Sequence, residues 1–392
     1  MLMNMKKNLL FISSKMIVGG VEKALIELLR EIDKSRFNVT LLLTKMNGPL
    51  EYQIPEGINV KYLNLDITVY DRALLARGRY FAFIRNKIVR AFLHVVPEYY
   101  SNTALSVKTW PLFDEEYDAI VAYKADDALV ACLPSRFKGR KKVLYVHAEY
   151  HMSERAKRSY SKILSGFDSI ICVSEFLCTY MMQEFPNCKA KNFVMHNLID
   201  YKKIISLAND SVDYMDSHSD TLSLVTVGRL SSEKGQQMVP QTVRILLDQG
   251  YDINWYLVGD GPLRGEVERE CEKHNVQDHV ILLGTKINPY PYIKNCDIYV
   301  QPSFTEGYCT TTVEAKVLCK PIVTTDAPGM REQFVSGENG LIVDAMTPEA
   351  LAEGIRQLLD HPEMCEKFTN ALKNESFDNA KEMQKLYDFI ES

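Results

Sequence analysis

Short apolar runs alternate with longer amphipathic segments along this chain, and the alternation predicts an α/β protein. The first run, Asn8 to Ser13, precedes the loop SSKMIVGGVE and a helical pattern from Val21 to about Asp33. Buried strands of this length, each followed by a helix, are typical of parallel sheets. The other strands predicted for this first sheet are Phe37 to Thr44, Val60 to Leu65, Tyr117 to Tyr123, Lys142 to His147, Ser169 to Val173 and Phe193 to His196.

A polar stretch rich in Asp and Ser, NDSVDYMDSHSD, divides the chain and predicts a linker. A second series of strands and helices runs from Leu222 to Asp344, and further helical patterns follow it. The length of 392 residues suits two domains of about 150–200 residues each. The predicted segments are a first domain over 1–205, a linker over 206–220, a second domain over 221–377 and a final helix over 378–392.

The composition of the chain excludes several classes of protein. With 46% hydrophobic and 25% charged residues, it has the make-up of a soluble globular protein. No apolar run approaches the roughly 20 residues that span a bilayer. The apolar part of the start, Leu9 to Ile12, is shorter than the roughly seven residues that the apolar region of a secretion signal needs. Nine cysteines without a C-x-x-C pair predict reduced thiols, no metal site and a cytoplasmic protein.

The net charge of −5 is divided unevenly between the two halves. Residues 1–200 hold 28 basic and 21 acidic residues, whereas the remainder holds 18 and 30. A basic stretch, YDRALLARGRYFAFIRNKIVRAFLHVV over 70–96, predicts one amphipathic helix. Its apolar face would carry Leu74, Phe81, Ile84, Ile88 and Phe92, with Arg72, Arg79 and Arg90 opposite. Such a helix either lies on an anionic membrane, here the inner face of the plasma membrane, or docks on the first sheet with its basic face in solvent.

The most informative stretch runs from Asp297 to Asp326, and its pattern predicts a strand, a loop, a helix and a second strand. In such a unit the loop lies at the carboxyl edge of the sheet, where ligands bind. The helix that begins at Thr310 presents free N–H groups and the positive end of a dipole, which suit an anion. Glu306 and Glu314 flank this start with seven residues between them. The plain alternative is that Glu314 complements the dipole and Glu306 is a solvated loop acid.

Two more strand–turn–helix segments carry glycine-rich turns, VTVGRLSSEKG and YLVGDGPLRGEVE. The second resembles a loose dinucleotide fingerprint through Gly259, Gly261 and Gly265, but its spacing is one residue too long. No acidic residue ends the next strand, VILLG, where a ribose ligand is expected. Both departures argue against a nicotinamide-dependent oxidoreductase.

The G-R-x-x-x-x-K-G turn, the G-x-G-P turn and the Glu pair, in this order, resemble the retaining GT-B glycosyltransferases of glycosyltransferase family 4. The resemblance covers nearly the whole chain and is strongest over 222–345, where Ala315 and the PIVTTD strand also match. It implies two Rossmann-like parallel-sheet domains facing across a cleft, with the acceptor in the first and the donor in the second. The chain has no D-x-D pair, so the metal-dependent design of the other large glycosyltransferase fold is not supported.

The resemblance also implies roles for residues of the second domain. Arg229 and Lys234 match the pair that binds the donor diphosphate. Glu306 matches the residue that faces the donor sugar, and Glu314 matches the residue that accepts from the ribose hydroxyls. The other implied donor contacts are Lys286 beside the base, and Gly307, Tyr308, Cys309, Thr310 and Thr311 in the loop and helix start. The family usually has apolar residues before its second Glu, where this chain has three threonines.

In the first domain the resemblance rests on a glycine pair and a histidine. The sequence GGVE resembles the G-G-x-E loop that lies against the donor diphosphate, because Gly19 and Gly20 let the backbone approach a ligand closely. A tight turn before a helix is the alternative. His147 ends a strand and matches the histidine that contacts the donor sugar, although a lone histidine is more often structural. His151 is a second candidate.

We therefore predict a metal-independent, retaining glycosyltransferase of the hexosyltransferase type that needs no cofactor, because the nucleotide sugar is its substrate. By family frequency the donor is a UDP-sugar, and the acceptor is a glycan or a lipid-linked glycan in polysaccharide or cell-surface glycan biosynthesis. The residues expected to act in catalysis are His147, Glu306, Arg229 and Lys234. The alternatives are a sugar phosphorylase, a nucleotide-sugar epimerase or an inactive binding homologue, and no feature predicts a nucleic-acid partner.

Overall fold

The computed structural model describes residues 6–63, 67–93, 99–212 and 221–392. The chain divides into two compact units. Unit 1 consists of Met1–Leu198 together with Asn379–Ser392, and unit 2 consists of Ile199–Asp378. Of the predicted linker, residues 213–220 lie outside the described residues.

Unit 1 is built on a parallel sheet whose strands are the apolar runs of the sequence. In the described residues these strands are β1 (Lys7–Ser13), β2 (Phe37–Leu43), β3 (Ile58–Tyr62), β4 (Glu116–Ala122), β5 (Lys138–Val146), β6 (Ser169–Cys172) and β7 (Lys191–Val194). Their order in the sheet is β3-β2-β1-β4-β5-β6-β7, and neighbours run parallel. The strand order reverses between β1 and β4, and such a switch point is where open α/β sheets bind ligands at their carboxyl edge.

Helices connect most of these strands, and an amphipathic helix buries its apolar face against the core. The helices of the first part of the chain are α1 (Gly20–Glu31), α2 (Ile67–Ala76), α3 (Tyr80–Leu93), α4 (Tyr99–Lys108), α5 (Ala128–Cys132), α6 (Glu154–Leu164) and α7 (Glu175–Glu184). In α1 the buried face carries Leu25, Leu28 and Leu29. The sequence predicted this helix within one or two residues at each end.

The prediction of one amphipathic helix over 70–96 is wrong. The chain forms two helices, α2 and α3, which are separated at Gly78. This glycine has φ +69°, a left-handed conformation that ends a helix and that only glycine adopts at little cost. Leu74 of α2 is buried, whereas Phe81 of α3 is exposed, so the two residues do not form one stripe. Residues 94–96 of the predicted helix lie outside the described residues.

Unit 2 repeats the same architecture with a second parallel sheet. In the described residues its strands are β8 (Leu222–Val227), β9 (Ile253–Val258), β10 (Val280–Gly284), β11 (Ile298–Gln301), β12 (Ile322–Thr325) and β13 (Leu341–Val343). Their order is β10-β9-β8-β11-β12-β13. The strand order therefore reverses between β8 and β11, and the carboxyl ends of these two strands form the switch point of unit 2.

The core of unit 2 lies between this sheet and its flanking helices. These helices are α8 (Tyr201–Leu207), α9 (Val239–Asp248), α10 (Arg264–His274), α11 (Tyr290–Asn295), α12 (Thr310–Val317), α13 (Met330–Gln333), α14 (Pro348–Asp360) and α15 (Pro362–Lys373). Trp255 of β9 is fully buried in this core. Its indole N–H donates to the hydroxyl of Thr226 at 3.0 Å, so the buried polar atom is satisfied.

The last helix, α16 (Asn379–Glu391), belongs to unit 1. The ring of Tyr387 stacks on Phe37 with 5.3 Å between centroids, and its hydroxyl accepts from the backbone N–H of Asp33. Glu382 accepts from the backbone N–H of His196 at 2.9 Å. Burial opposes ionisation of Glu382, but hydrogen bonds from His196 and Lys385 outweigh it and lower the pKa of this carboxyl to about 2.

Candidate active site

The switch point of unit 2 holds a buried ion pair. Lys234 lies on the turn after β8, and Glu306 lies on the loop after β11. The Nζ atom of Lys234 donates to both carboxylate oxygens of Glu306, at 2.7 Å each. Only 6% of the Glu306 side chain and 24% of the Lys234 side chain are exposed. Two residues that are 72 positions apart in sequence are therefore joined where this class of sheet binds its ligands.

The turn that carries Lys234 packs directly on the loop that carries Glu306. Gly235 has φ +69°, and a Cβ atom at this position would lie 1.9 Å from the carbonyl oxygen of Pro302. The carbonyl oxygen of Glu233 accepts from the backbone N–H groups of Phe304 and Thr305. This contact explains the glycine of the K-G turn, because no side chain fits between the two backbones.

The surroundings of Lys234 favour its charged form. Burial disfavours the ammonium of Lys234, but the carboxylate of Glu306 and its hydrogen bonds outweigh burial and raise the pKa of Lys234. The thiol of Cys309 lies in the same surroundings, and burial raises its pKa to about 11. The site therefore offers a cation and an anion side by side, with a neutral thiol beside them.

Glu306 has a second hydrogen-bond donor, which was not predicted from the sequence. The hydroxyl of Ser303 donates to Glu306 at 2.6 Å and accepts from the side-chain amide of Gln301 at 2.8 Å. The amide oxygen of Gln301 accepts from the hydroxyl of Tyr299 at 2.8 Å and from that of Thr311 at 3.2 Å. Gln301, Ser303 and Tyr299 are fully buried. A row of three buried side chains therefore ends on the carboxylate.

Helix α12 begins immediately after this loop. Its N-cap residue is Cys309, whose side chain does not cap the helix, so the first backbone N–H groups lack a side-chain acceptor there. Thr310 and Thr311 are half-buried at the helix start, and Thr312 is buried, with its hydroxyl 2.7 Å from the carbonyl oxygen of Cys309. Gly307 and Tyr308 are half-buried in the loop. A helix start of this kind favours an anion.

Glu314 lies one turn further along α12 and is buried. Its Oε1 atom accepts from the hydroxyl of Tyr290 at 3.2 Å. The plain alternative for Glu306, a solvated loop acid, is wrong because its carboxylate is buried and hydrogen-bonded. The two carboxylates thus belong to one loop-and-helix segment, in which both are shielded from water.

The other glycine-rich turn packs against the turn that carries Arg229. A Cβ atom at Gly259, which has φ +151°, would lie 1.9 Å from the carbonyl oxygen of Gly228. A Cβ atom at Gly261 would lie 2.3 Å from the carbonyl oxygen of Leu230. These glycines are therefore required by contact between backbones. The side chain of Arg229 is exposed, and that of Lys286 lies over the ring of Tyr292, 5.7 Å from its centroid.

The switch point of unit 1 carries an ion pair too. Gly19 and Gly20 follow β1, and Glu22 in the first turn of α1 is buried. The Nζ atom of Lys124, on the loop after β4, lies 3.1 Å from Oε1 of Glu22. A Cβ atom at Gly19 would lie 2.7 Å from the other oxygen of Glu22, so the carboxylate packs on the glycine loop. This pair was not predicted from the sequence.

His147 follows β5 in unit 1. Its Nε2 atom lies 3.0 Å from the carbonyl oxygen of Tyr123, which only accepts, so Nε2 carries the proton. Its Nδ1 atom is buried and has no hydrogen-bond partner among the described residues. Burial lowers the pKa of His147 to about 3, so the ring is neutral near pH 7. His147 thus offers one acceptor atom, whereas His151 is exposed.

The described residues lack two kinds of feature. No group of three or more His, Cys, Asp or Glu side chains is arranged there to hold a metal ion. None of the helices in the described parts of the chain has both the length and the apolar character that a membrane-spanning segment requires.

Comparison with known families matches almost the whole chain in two parts. The model described as Glycosyltransferase Family 4 matches residues 18–203, and the model described as Glycosyl transferases group 1 matches residues 216–375. Among solved structures, that of HepE from Anabaena in complex with UDP and glucose superposes with a TM-score of 0.68 at 18% identity. The match covers 98% of this chain and 99% of that one.

Individual relatives match over shorter stretches. The chain is 26% identical to an N-acetylgalactosamine-N,N'-diacetylbacillosaminyl-diphospho-undecaprenol 4-alpha-N-acetylgalactosaminyltransferase of Campylobacter jejuni, over 53% of each chain. It is also 26% identical to the capsular polysaccharide biosynthesis glycosyltransferase CapM of Staphylococcus aureus, over 49% of this chain and 52% of that protein. The chain thus spans about half the length of these relatives.

Two parallel-sheet units of this topology, together with the structural match to HepE over 98% of the chain, identify the GT-B fold. The chain belongs to glycosyltransferase family 4, within the group 1 glycosyl transferases. The fold class and the family predicted from the sequence are thereby confirmed.

Proposed function

We propose that this glycosyltransferase moves a sugar from a nucleotide sugar, of the UDP-sugar class, to a glycan or lipid-linked acceptor with retention of configuration. The observation that carries the proposal is the Lys234–Glu306 pair at the switch point of unit 2, next to the start of α12 and to buried Glu314. A nucleotide sugar presents a diphosphate, a ribose and a sugar. For the diphosphate, the protein offers the cation of Lys234 and the start of α12. For the ribose it offers buried Glu314, and for the sugar it offers the fixed carboxylate of Glu306.

Breaking the bond between sugar and diphosphate leaves additional negative charge on the phosphate. Lys234 stabilises that charge as a compact ammonium, and Arg229 adds a planar fork from the same turn. The backbone N–H groups at the start of α12 add the helix-terminus contribution. Because these groups supply positive charge where negative charge develops on the phosphate, we propose that the reaction proceeds without a metal ion.

The remaining residues bind and orient the donor. Glu314 accepts from the ribose hydroxyls, and Glu306 faces the sugar. We propose that the backbone at Gly19 and Gly20 approaches the diphosphate, and that the neutral Nδ1 of His147 accepts from a sugar hydroxyl. The acceptor attacks on the face from which the nucleotide departs, which retains configuration without a separate protein nucleophile.

The expected response to nucleotide sugars tests this function. Saturating UDP-sugar stabilises the wild-type protein, since a ligand at 100 times its dissociation constant adds about 2.7 kcal/mol to the free energy of unfolding. Glu314→Gln should lose most of this stabilisation with UDP alone, because a ribose contact serves donor and free nucleotide alike. Glu306→Gln should keep it but lower turnover, because Glu306 faces the sugar. Thermal denaturation with a panel of nucleotide sugars, followed by turnover assays, measures both effects.

The same assays separate the alternatives. A phosphorylase releases sugar phosphate from a glycan when phosphate is added, and an epimerase changes the sugar without an acceptor. A chain that gains thermal stability from UDP-sugars but shows no turnover of any kind is an inactive binder. Loss of UDP affinity in Glu306→Gln, with full affinity in Glu314→Gln, overturns the two roles. Unchanged turnover with a chelator is expected for the metal-free reaction.

We also propose that α3 brings the protein to an anionic membrane, where a lipid-linked acceptor is located. Phe81, Ile84 and Ile88 share one face of this helix at spacings of three and four residues. They are 92%, 54% and 62% exposed, so this apolar face is not the one that packs on unit 1. On the opposite side Asn86 is buried and donates to the carbonyl oxygen of Thr109 at 3.1 Å, which anchors the helix to unit 1.

The charges around this apolar face indicate which kind of partner binds it. Arg85 and Lys87 lie on its two flanks by helical spacing, Arg77 and Arg79 precede the helix, and all four are exposed. The acid in 67–93 is Asp71, which is buried. A second copy docked through the same face would bring cations against cations. Anionic lipid headgroups complement them, while the apolar residues enter the acyl boundary.

Vesicle sedimentation tests the membrane proposal. Wild-type protein should co-sediment with phosphatidylserine vesicles at low salt and be released as salt rises, because screening shortens the reach of the cations to about 8–10 Å. Phe81→Asp/Ile88→Asp should stay in solution. The matched control, Met182→Asp/Val335→Asp, replaces two other exposed apolar residues with the same change of charge and should still bind. Equal sedimentation of both variants, or none by the wild type, excludes α3 as the docking helix.

A further inference from the structure

The buried row Tyr299, Gln301 and Ser303 ends on the candidate catalytic carboxylate, and no part of the proposed function uses it. Each donor in the row points towards Glu306. Tyr299 donates to Gln301 at 2.8 Å, Gln301 donates to Ser303 at 2.8 Å, and Ser303 donates to Glu306 at 2.6 Å. Hydrogen bonds aligned in this way polarise one another, and the last one is strengthened by the charge of its acceptor.

The rest of unit 2 holds the row in place. The carbonyl oxygen of Ser303 accepts from the hydroxyl of Thr325, in the neighbouring strand β12. The hydroxyl of Thr311, at the start of α12, also donates to the amide oxygen of Gln301. Burial raises the pKa of Tyr299 well above its usual value, so its hydroxyl keeps its proton and remains a donor. The hydroxyl of Ser303 is therefore held by two hydrogen bonds, one from Gln301 and one to Glu306.

The two side chains that donate hydrogen bonds to Glu306 respond differently when a nucleotide sugar binds. Lys234 is a cation at the end of a long aliphatic side chain, and in the proposed function a diphosphate competes for its ammonium. Ser303 carries no charge and lies in the buried interior, so a diphosphate does not draw it away. If Lys234 were the sole donor, its movement to the phosphate would leave a buried carboxylate without a side-chain partner, which is costly.

We propose that Ser303, oriented by Gln301 and Tyr299, is a positioning residue that holds the Glu306 carboxylate in place while Lys234 engages the diphosphate of the donor. The inference rests on the proposed function and deepens it, because it assigns the two donors of one carboxylate to different stages of the reaction. Lys234 holds Glu306 in the ligand-free protein, and Ser303 holds it throughout.

The first test needs no activity. Ser303→Ala and Lys234→Ala each remove one donor, so each single variant should melt a few degrees below the wild type. The double variant should lose clearly more than the two single losses combined, because the buried carboxylate then has neither side-chain donor. Adding Glu306→Gln to the double variant should restore part of the loss, since a neutral amide needs less support. Additive losses, or no restoration by Glu306→Gln, overturn the proposal.

The second test uses transfer kinetics with a UDP-sugar. Ser303→Ala should lower kcat about tenfold or more, as expected for a hydrogen bond to a charged group, while the Kd of free UDP stays within about twofold. In a Glu306→Gln background the same change should have little further effect on kcat, because Ser303 acts through Glu306. A merely structural role gives independent losses in both backgrounds.

A control and a second variant complete the design. Thr324→Val removes another fully buried hydroxyl, which donates to the carbonyl oxygen of Gln301 and does not touch Glu306. It should leave kcat unchanged. Gln301→Met keeps the length of the side chain but removes the donor to Ser303, and should reproduce the kcat loss in weaker form. If the wild type transfers no sugar, the proposed function fails, and the melting experiment still decides whether Ser303 holds Glu306.

Discussion

Replacing Lys234 with alanine is expected to lower kcat/KM for the nucleotide sugar by about two powers of ten, which corresponds to about 3 kcal/mol of lost transition-state stabilisation. The physical reason is that the ammonium lies where the departing diphosphate gains charge, in surroundings that shield it from water. The variant should fold, because Ser303 still donates to Glu306. The measurement is steady-state transfer at several donor concentrations, with a melting curve to show that the protein is folded.

Lys316→Ala is the matched control for this variant. Lys316 is a buried lysine of unit 2, and its Nζ atom donates to the carbonyl oxygen of Gln333 and pairs with Glu375, both at 2.8 Å. Its loss should cost stability while transfer stays close to that of the wild type. Turnover of Lys234→Ala within about threefold of the wild type, in a chain with demonstrated donor use, would remove Lys234 from the reaction.

Gly235→Ala should destabilise unit 2 by about 3–5 kcal/mol, which is at the upper end of what single substitutions do. One part of the loss is the left-handed backbone, which costs a residue with a side chain about 1–2 kcal/mol. The larger part is the overlap with the carbonyl of Pro302, which must move because the built Cβ lies only 1.9 Å from its oxygen. That movement also separates Lys234 from Glu306, so transfer should fall.

Gly250→Ala separates these two contributions. Gly250 is likewise left-handed, at φ +93°, but nothing lies within 4 Å of its built Cβ. Its substitution should cost about 1–2 kcal/mol, the backbone part alone. Urea unfolding of the two variants gives the comparison. An equal loss in both would show that the two backbones can move apart without cost and that the glycine is not needed for their contact.

The sequence predicted the scaffold well because its signals are local. Strand β10 matches the predicted run VILLG residue for residue. Apolar runs and helical spacing depend on neighbours in the chain, and parallel strands bring the residues that follow them to one edge. Lys234 and Glu306 both follow strands of this sheet, which explains why they lie at the same edge.

The part that could not be predicted depends on contacts between distant segments. Ser303 and Gln301 have no special pattern in the sequence, and only their burial and the alignment of their donors single them out. The pairing of Glu22 with Lys124 joins residues 102 positions apart. In the segment 70–96, helical spacing suggested one stripe, and the Arg77–Gly78–Arg79 turn was missed because one glycine within a helical pattern is often tolerated.

The membership of α16 in unit 1 has a consequence for how the chain folds during its synthesis. Unit 2 is one continuous segment, whereas unit 1 needs residues from both sides of it. The contacts of Phe37 and Asp33 with Tyr387 therefore cannot form until all of unit 2 has been synthesised. Domains usually fold in the order in which they leave the ribosome. Here the unit that emerges first is the one that is completed last, and the intervening unit can reach its final fold before it.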